Sequence, residues 1–242
     1  MIRSQKELSE AKHPTEQLSQ TDKLVLRYSQ SRDWAAENQR TLLFGLLVVV
    51  LVIGGIFYLN IQKTKGNDVA STYLSRVMEY YATGDYRHAI DGDKTKRVQG
   101  EAIHGLKQIV DDYGSTVSGS EAALMLGNAY YYLGKYDSAN AAFDKAITST
   151  PLMAASVEAG HAAILEAKGN KEEAAKLFES AAKRDKNNPR NADYLLDAAR
   201  DLQQVGKNED AVRLYKSMLA DYPGTEYDDA AKRALLQLKV DI

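Results

Sequence analysis

A glycine followed five residues later by an alanine recurs along this chain: Gly84 with Ala89, Gly134 with Ala139, Gly169 with Ala174, and Gly206 with Ala211. In three of these an aromatic residue stands four places after the alanine: Phe143, Phe178 and Tyr215. A spacing of four puts alanine and aromatic on one helical face. The glycine suits the left-handed position just past the end of the preceding helix. Each copy therefore predicts a pair of helices joined at the glycine. One pair cannot bury its apolar face alone, so the pairs must stack. The expectation is an all-α fold.

The period of the last two copies lies near 34 residues, and residues 120–153, SEAALMLGNAYYYLGKYDSANAAFDKAITSTPLM, carry the fullest copy. Leu126, Gly127, Tyr130, Ala139, Phe143, Ala146 and Pro151 stand at signature places, and only the leading Trp is replaced, by Ala123. This stretch resembles the tetratricopeptide repeat. Gly127 and Ala139 are small enough to let two helices approach, while Leu126, Tyr130 and Phe143 fill the space around them. Pro151 suits the first turn of the next helix. The first glycine spacing is longer than the period, which predicts an insertion near 90–101. Helix B is expected to restart after it, with Ala102, Leu106 and Ile109 at the places of Ala139, Phe143 and Ala146. The segments Asp112-Tyr113-Gly114-Ser115-Thr116 and Asp221-Tyr222-Pro223-Gly224-Thr225 echo each other as unit endings. A capping helix is expected near 226–238.

Residues 42–59, LLFGLLVVVLVIGGIFYL, contain no charged residue. As a helix they reach about 27 Å, close to the hydrocarbon thickness of a bilayer. At a few tenths of a kcal/mol for each Leu, Ile, Val and Phe, insertion is favourable by several kcal/mol. We expect a transmembrane helix over 41–61 that stays as an anchor, because a predominantly polar stretch of forty residues precedes it and no small-residue cleavage site follows. Arg27, Arg32 and Arg40 stand among the basic residues before it. By the positive-inside rule, residues 1–40 form a cytoplasmic tail, partly disordered or helical. Residues 62–242 then form an extracytoplasmic repeat domain of about four units, periplasmic in a Gram-negative cell.

Composition narrows the function classes. The net charge of −2 offers no basic field for nucleic acid, and cysteine is absent. The four histidines, His13, His88, His104 and His161, show no metal-ligand spacing. Asp91-Gly92-Asp93 opens like a calcium loop but lacks the later acidic ligands, so it reads as a turn. No phosphate loop, nucleophile elbow or zinc-protease motif occurs. The chain is not expected to be an enzyme, to hold a metal or to need a cofactor.

In a stack of such repeats the helix A residues line the concave side. By phasing, these are Leu74, Met78 and Tyr81, then Leu124, Asn128 and Tyr131, then Ala159 and Ala163, then Leu196 and Arg200. An apolar, tyrosine-rich groove suits an extended or helical segment of a protein client. The other reading is that the insertion or the last helix covers these residues. The repeat resemblance also implies a known mode in which Lys, Arg and Asn from successive helices A clamp a terminal carboxylate. Here Asn128 fits, but Leu124, Gly160, Asp193 and Asp197 hold the other places, and two carry the wrong sign.

The layout of tail, anchor and repeats resembles the YfgM-like envelope proteins, ancillary subunits of the SecYEG translocon. That resemblance implies an inner-membrane protein whose periplasmic repeats contact the translocon and periplasmic chaperones, as a scaffold or chaperone adaptor for emerging envelope proteins. A scaffold for cell-envelope or outer-membrane assembly is the alternative.

Overall fold

The structure, a computed structural model, describes residues 20–240. Two units divide at Ile61 and Gln62. The first contains helix α1, Gln20–Glu37, and the first half of α2, Gln39–Ala82. Tyr28 and Trp34 on α1 are exposed. In α2 an eighteen-residue window has mean hydropathy 2.9, and none of it is buried. Among the described residues α2 is the one helix long and apolar enough to cross a membrane. It has 44 residues, where about 20 suffice for a bilayer. The remainder is amphipathic: Ala70, Leu74 and Val77 are buried in the second unit, so these residues serve as helix A of the first repeat.

The second unit continues through α3 (Tyr86–Asp91), strands β1 (Gly92–Val98) and β2 (Glu101–His104), then α4 (Leu106–Tyr113). Three helix pairs or part-pairs follow: α5 (Val117–Tyr132) with α6 (Tyr136–Asp144), α7 (Pro151–Ala167) with α8 (Lys171–Arg184), and α9 (Asn191–Gln204) with α10 (Asn208–Asp221). Helix α11 (Glu226–Gln237) packs on α10 and closes the stack.

The repeating glycines do one job four times. Gly84, Gly134, Gly169 and Gly206 all have φ between 71° and 87°. At each, the glycine N–H and the next N–H reach back to carbonyls of the last helical turn, as in Gly134 to Tyr131 at 2.9 Å and Lys135 to Tyr130 at 2.9 Å. This double closure satisfies two carbonyls that would otherwise be orphaned and turns the chain into helix B. The alanine that follows is fully buried in every copy. Helices α5, α7 and α11 begin on threonines: Thr116, Thr150 and Thr225 accept hydrogen bonds from Gly119 (3.0 Å), Met153 (3.2 Å) and Asp228 (3.4 Å). The echo between 112–116 and 221–225 is thus two copies of one helix start, each ending on its capping threonine.

Within this helical fold, residues 92–104 form a two-stranded β-hairpin. Val98 pairs with Glu101 across the two-residue turn Gln99-Gly100, where φ is 54° and 86°. Two consecutive positive φ angles at a two-residue loop fit the twist of paired strands. Ala102 therefore lies in β2 and does not share a helix with Leu106 and Ile109. Helix B resumes only at Leu106, where Gly105 forms the helix N-cap. Gly92 and Gly105 close the neck of the hairpin. A Cβ on Gly92 would strike the Ile103 carbonyl, and one on Gly105 the Ile90 carbonyl. Asp93 fixes the first turn of the hairpin: it accepts from Tyr80 Oη (2.6 Å), Thr95 N (2.8 Å), Thr95 Oγ1 (2.6 Å) and Lys96 N (3.1 Å). These bonds, led by the Thr95 hydroxyl, hold its carboxyl well below the usual range, and Tyr80 is pushed up to about 12 by its bond to Asp93.

Two apolar clusters form the core. One runs from Ala70 through Phe143 to Ile164, the other from Ala155 through Tyr215 to Leu235. Both are rich in alanine, which lets helix axes come close.

Candidate functional site: a groove along the first helices of four units

The inner side of the repeat unit carries a groove of about 300 Å³. It draws side chains from the first helix of every repeat: Tyr81 from α2, Leu124, Asn128 and Tyr131 from α5, Ala159, Gly160, Ala163 and Glu166 from α7, and Tyr194 and Asp197 from α9, with Arg190 just before it. The floor is low because Ala159, Gly160 and Ala163 extend no further than Cβ. Gly160 and Gly127 also flank the Phe143 ring, and a Cβ on either would be driven into it. One aromatic thus needs a glycine on two different helices.

The groove has two chemical halves. Its first half is tyrosine-rich. Tyr81 meets Tyr86 at 5.7 Å, Tyr86 stacks on Tyr132 at 5.0 Å, and Tyr131 meets Tyr132 at 5.7 Å and Tyr136 at 5.8 Å. Such edge and offset contacts stabilise aromatic pairs beyond their buried area. Burial pushes Tyr81 up, the nearby Asn128 amide opposes this, and burial also raises Tyr131. Both hydroxyls therefore remain available as donors at neutral pH.

The second half is acidic. Glu166 is half-buried, and its carboxylate has no hydrogen bond or ion pair among the described residues. Asp197 is pushed up to about 6, first by burial and then by the charge of Glu166. Arg200 Nη1 lies 3.8 Å from Asp197 and Arg190 Nε 3.8 Å from Asp193, both beyond hydrogen-bond range. Arg190 instead covers the Tyr194 ring at 5.4 Å. Tyr194 is 2 % exposed, and its hydroxyl has no hydrogen-bond partner among the described residues. Two turns on, Asp201 is 0 % exposed, and neither of its oxygens accepts a hydrogen bond among the described residues. Its nearest cation is Lys171, at 3.7 Å, which also binds Gln204. Burial, then Glu166, pushes Asp201 up to about 6.

Of the residues expected at the groove, Tyr81, Leu124, Asn128, Tyr131, Ala159 and Ala163 line it together. Leu74 and Leu196 are buried in the two core clusters. Met78 and Arg200 are exposed but stand outside the groove lining. In the fourth unit the phasing slips by three residues, which rotates the assigned face by about 60° and selects Leu196 and Arg200 over Asp193 and Asp197. Comparison with carboxylate-clamp positions picks out Asp197 and Gly160, and these do reach the groove. Glu166, Arg190 and Tyr194 carry no such signal, since their places meet in one groove only when four helices A converge. Among the signature residues, Leu126, Gly127, Ala139, Phe143 and Ala146 are buried, Tyr130 packs against the core, and Pro151 opens α7.

Residues 124–192 match the model of the tetratricopeptide repeat family, which takes in the second and third helix pairs and the start of the fourth. Over the matched residues the chain is similar to that family, whose repeats generally serve as protein-interaction modules, and the helix pairs before and after continue the same stack. No curated protein matches the chain.

Proposed function

We propose that this chain is a membrane-anchored scaffold that holds polypeptide segments in the groove of its repeats. The groove carries the reading: four helices A present tyrosines, a low floor and uncommitted hydrogen-bonding groups along one trough. The tyrosines supply rigid amphipathic contact area, as at other polypeptide-binding surfaces. Helix α2, with its exposed apolar window, supports a single membrane pass. We take residues 1–40 as cytoplasmic and 62–242 as periplasmic at the inner membrane, on the basic residues before the span. The resemblance to YfgM-like proteins supports a site of action at the SecYEG translocon, with periplasmic chaperones as further partners.

The test is affinity isolation of the full chain from membranes, with and without Tyr131→Ala. Recovery of translocon subunits that falls with the variant supports the scaffold at the channel. Recovery of outer-membrane assembly factors in their place moves the protein to envelope assembly. Recovery that ignores Tyr131 removes the groove from the account.

A further inference from the structure

Three features of the acidic half of the groove point to one kind of guest. The Glu166 carboxylate is half-buried and makes no ion pair or hydrogen bond among the described residues. Asp197 faces the same trough, with Arg200 too distant to hydrogen-bond it. Tyr194 lines the wall with a buried hydroxyl that nothing satisfies among the described residues. A buried polar atom without a partner is costly, and native structures rarely leave one. All three groups accept hydrogen bonds, and two of them are negative. An ammonium carries three donors and no acceptor, and a guanidinium five.

We propose that this half of the groove receives a lysine or arginine side chain of a bound polypeptide, between Glu166, Asp197 and the Tyr194 hydroxyl. The inference rests on the reading of the groove as a polypeptide-binding site and adds the chemistry of the guest. Among the described residues no group of three or more His, Cys, Asp and Glu is arranged to hold a metal ion. The tyrosine half next to it accepts the neighbouring apolar residues of the same segment. Arg190 at the rim stacks on Tyr194 and leans toward Asp193, and Arg200 pairs loosely with Asp197 at 3.8 Å, so Glu166 is the inner carboxylate most open to the guest. This arrangement is the charge inverse of a carboxylate clamp: the inner acids repel a chain terminus and attract a basic side chain.

The experiment uses the full chain in detergent micelles and three fluorescein-labelled dodecapeptides of Leu, Ser and Tyr. One has a central lysine, one norleucine there and one glutamate. Fluorescence anisotropy should give a dissociation constant about tenfold lower for the lysine peptide than for norleucine, the worth of one charge-assisted contact. The glutamate peptide should bind weakest. Added salt should narrow the gap. In Glu166→Gln with Asp197→Asn the lysine and norleucine peptides should bind alike. The single Glu166→Gln, at a half-buried place, serves if the double variant does not fold. Equal binding of lysine and norleucine peptides to the unaltered chain, or a preference that survives both acid replacements, overturns the proposal. If binding is equal but still lost in Tyr131→Ala, the groove stands and only the cation falls. If no peptide binds, or Tyr131→Ala changes nothing, both readings fall.

Discussion

Phe143 shows how one side chain decides the spacing of three helices. It sits on α6, and its ring lies against Gly127 of α5 and Gly160 of α7. Adding one methyl at either glycine forces a packed ring to move, so Gly160→Ala should destabilise the repeat unit by about 1–3 kcal/mol. Chemical denaturation measures this, and Phe143→Leu in the same chain should recover part of the loss by making room. A second prediction concerns Asp201. Its folded pKa is raised toward 6 from an ordinary 3.8. The native state therefore keeps a proton that the unfolded chain releases between those values, and the group lowers stability as pH rises through that window. Asp201→Asn should raise the unfolding temperature at pH 7.5, by the equivalent of about 1 kcal/mol, and leave it unchanged near pH 4. The sequence makes Gly127 and Phe143 legible because they sit on a repeating pattern. Gly160 and Asp201 escape that pattern. Their neighbours come from other units, and only the stack brings them together.

At the scale of elements, the hairpin is where sequence reading and structure part. The spacing of Gly84 and Gly134 points to extra residues near 90–101, where the chain forms its hairpin. The helical period beyond it, however, assigns Ala102 to a helix that has not yet begun. The governing signals are local: Gln99-Gly100 as a two-residue turn, and Gly92 and Gly105 as a neck too tight for side chains. Gly92 has φ 81°, and a Cβ there would also meet the backbone of the opposite strand. Gly92→Ala should therefore destabilise the unit by about 1–3 kcal/mol, read as a shift in denaturation midpoint. Helix starts follow a simpler rule. Thr150 caps α7, and Thr150→Ala should cost about 1 kcal/mol by the same measurement. The remaining elements were legible because each is bounded by a glycine closure, a capping threonine, or both.

For the whole molecule, repetition and hydropathy carry most of what can be read from the sequence. Four phased glycine–alanine pairs specify the stack, and one uncharged apolar run specifies the long exposed helix. The groove is only partly legible. Its tyrosine half follows from the phasing of the second unit, while its acidic half arises where α7 and α9 converge and the period has drifted. The account's central claim is that this groove holds polypeptide. The most direct measurement places a photo-reactive phenylalanine analogue at Tyr131 in the groove and, separately, at Lys176 on the exposed side of α8, in growing cells. The account predicts cross-links to other polypeptides from position 131 and few from position 176. Equal labelling from both positions, or none from 131, would contradict it.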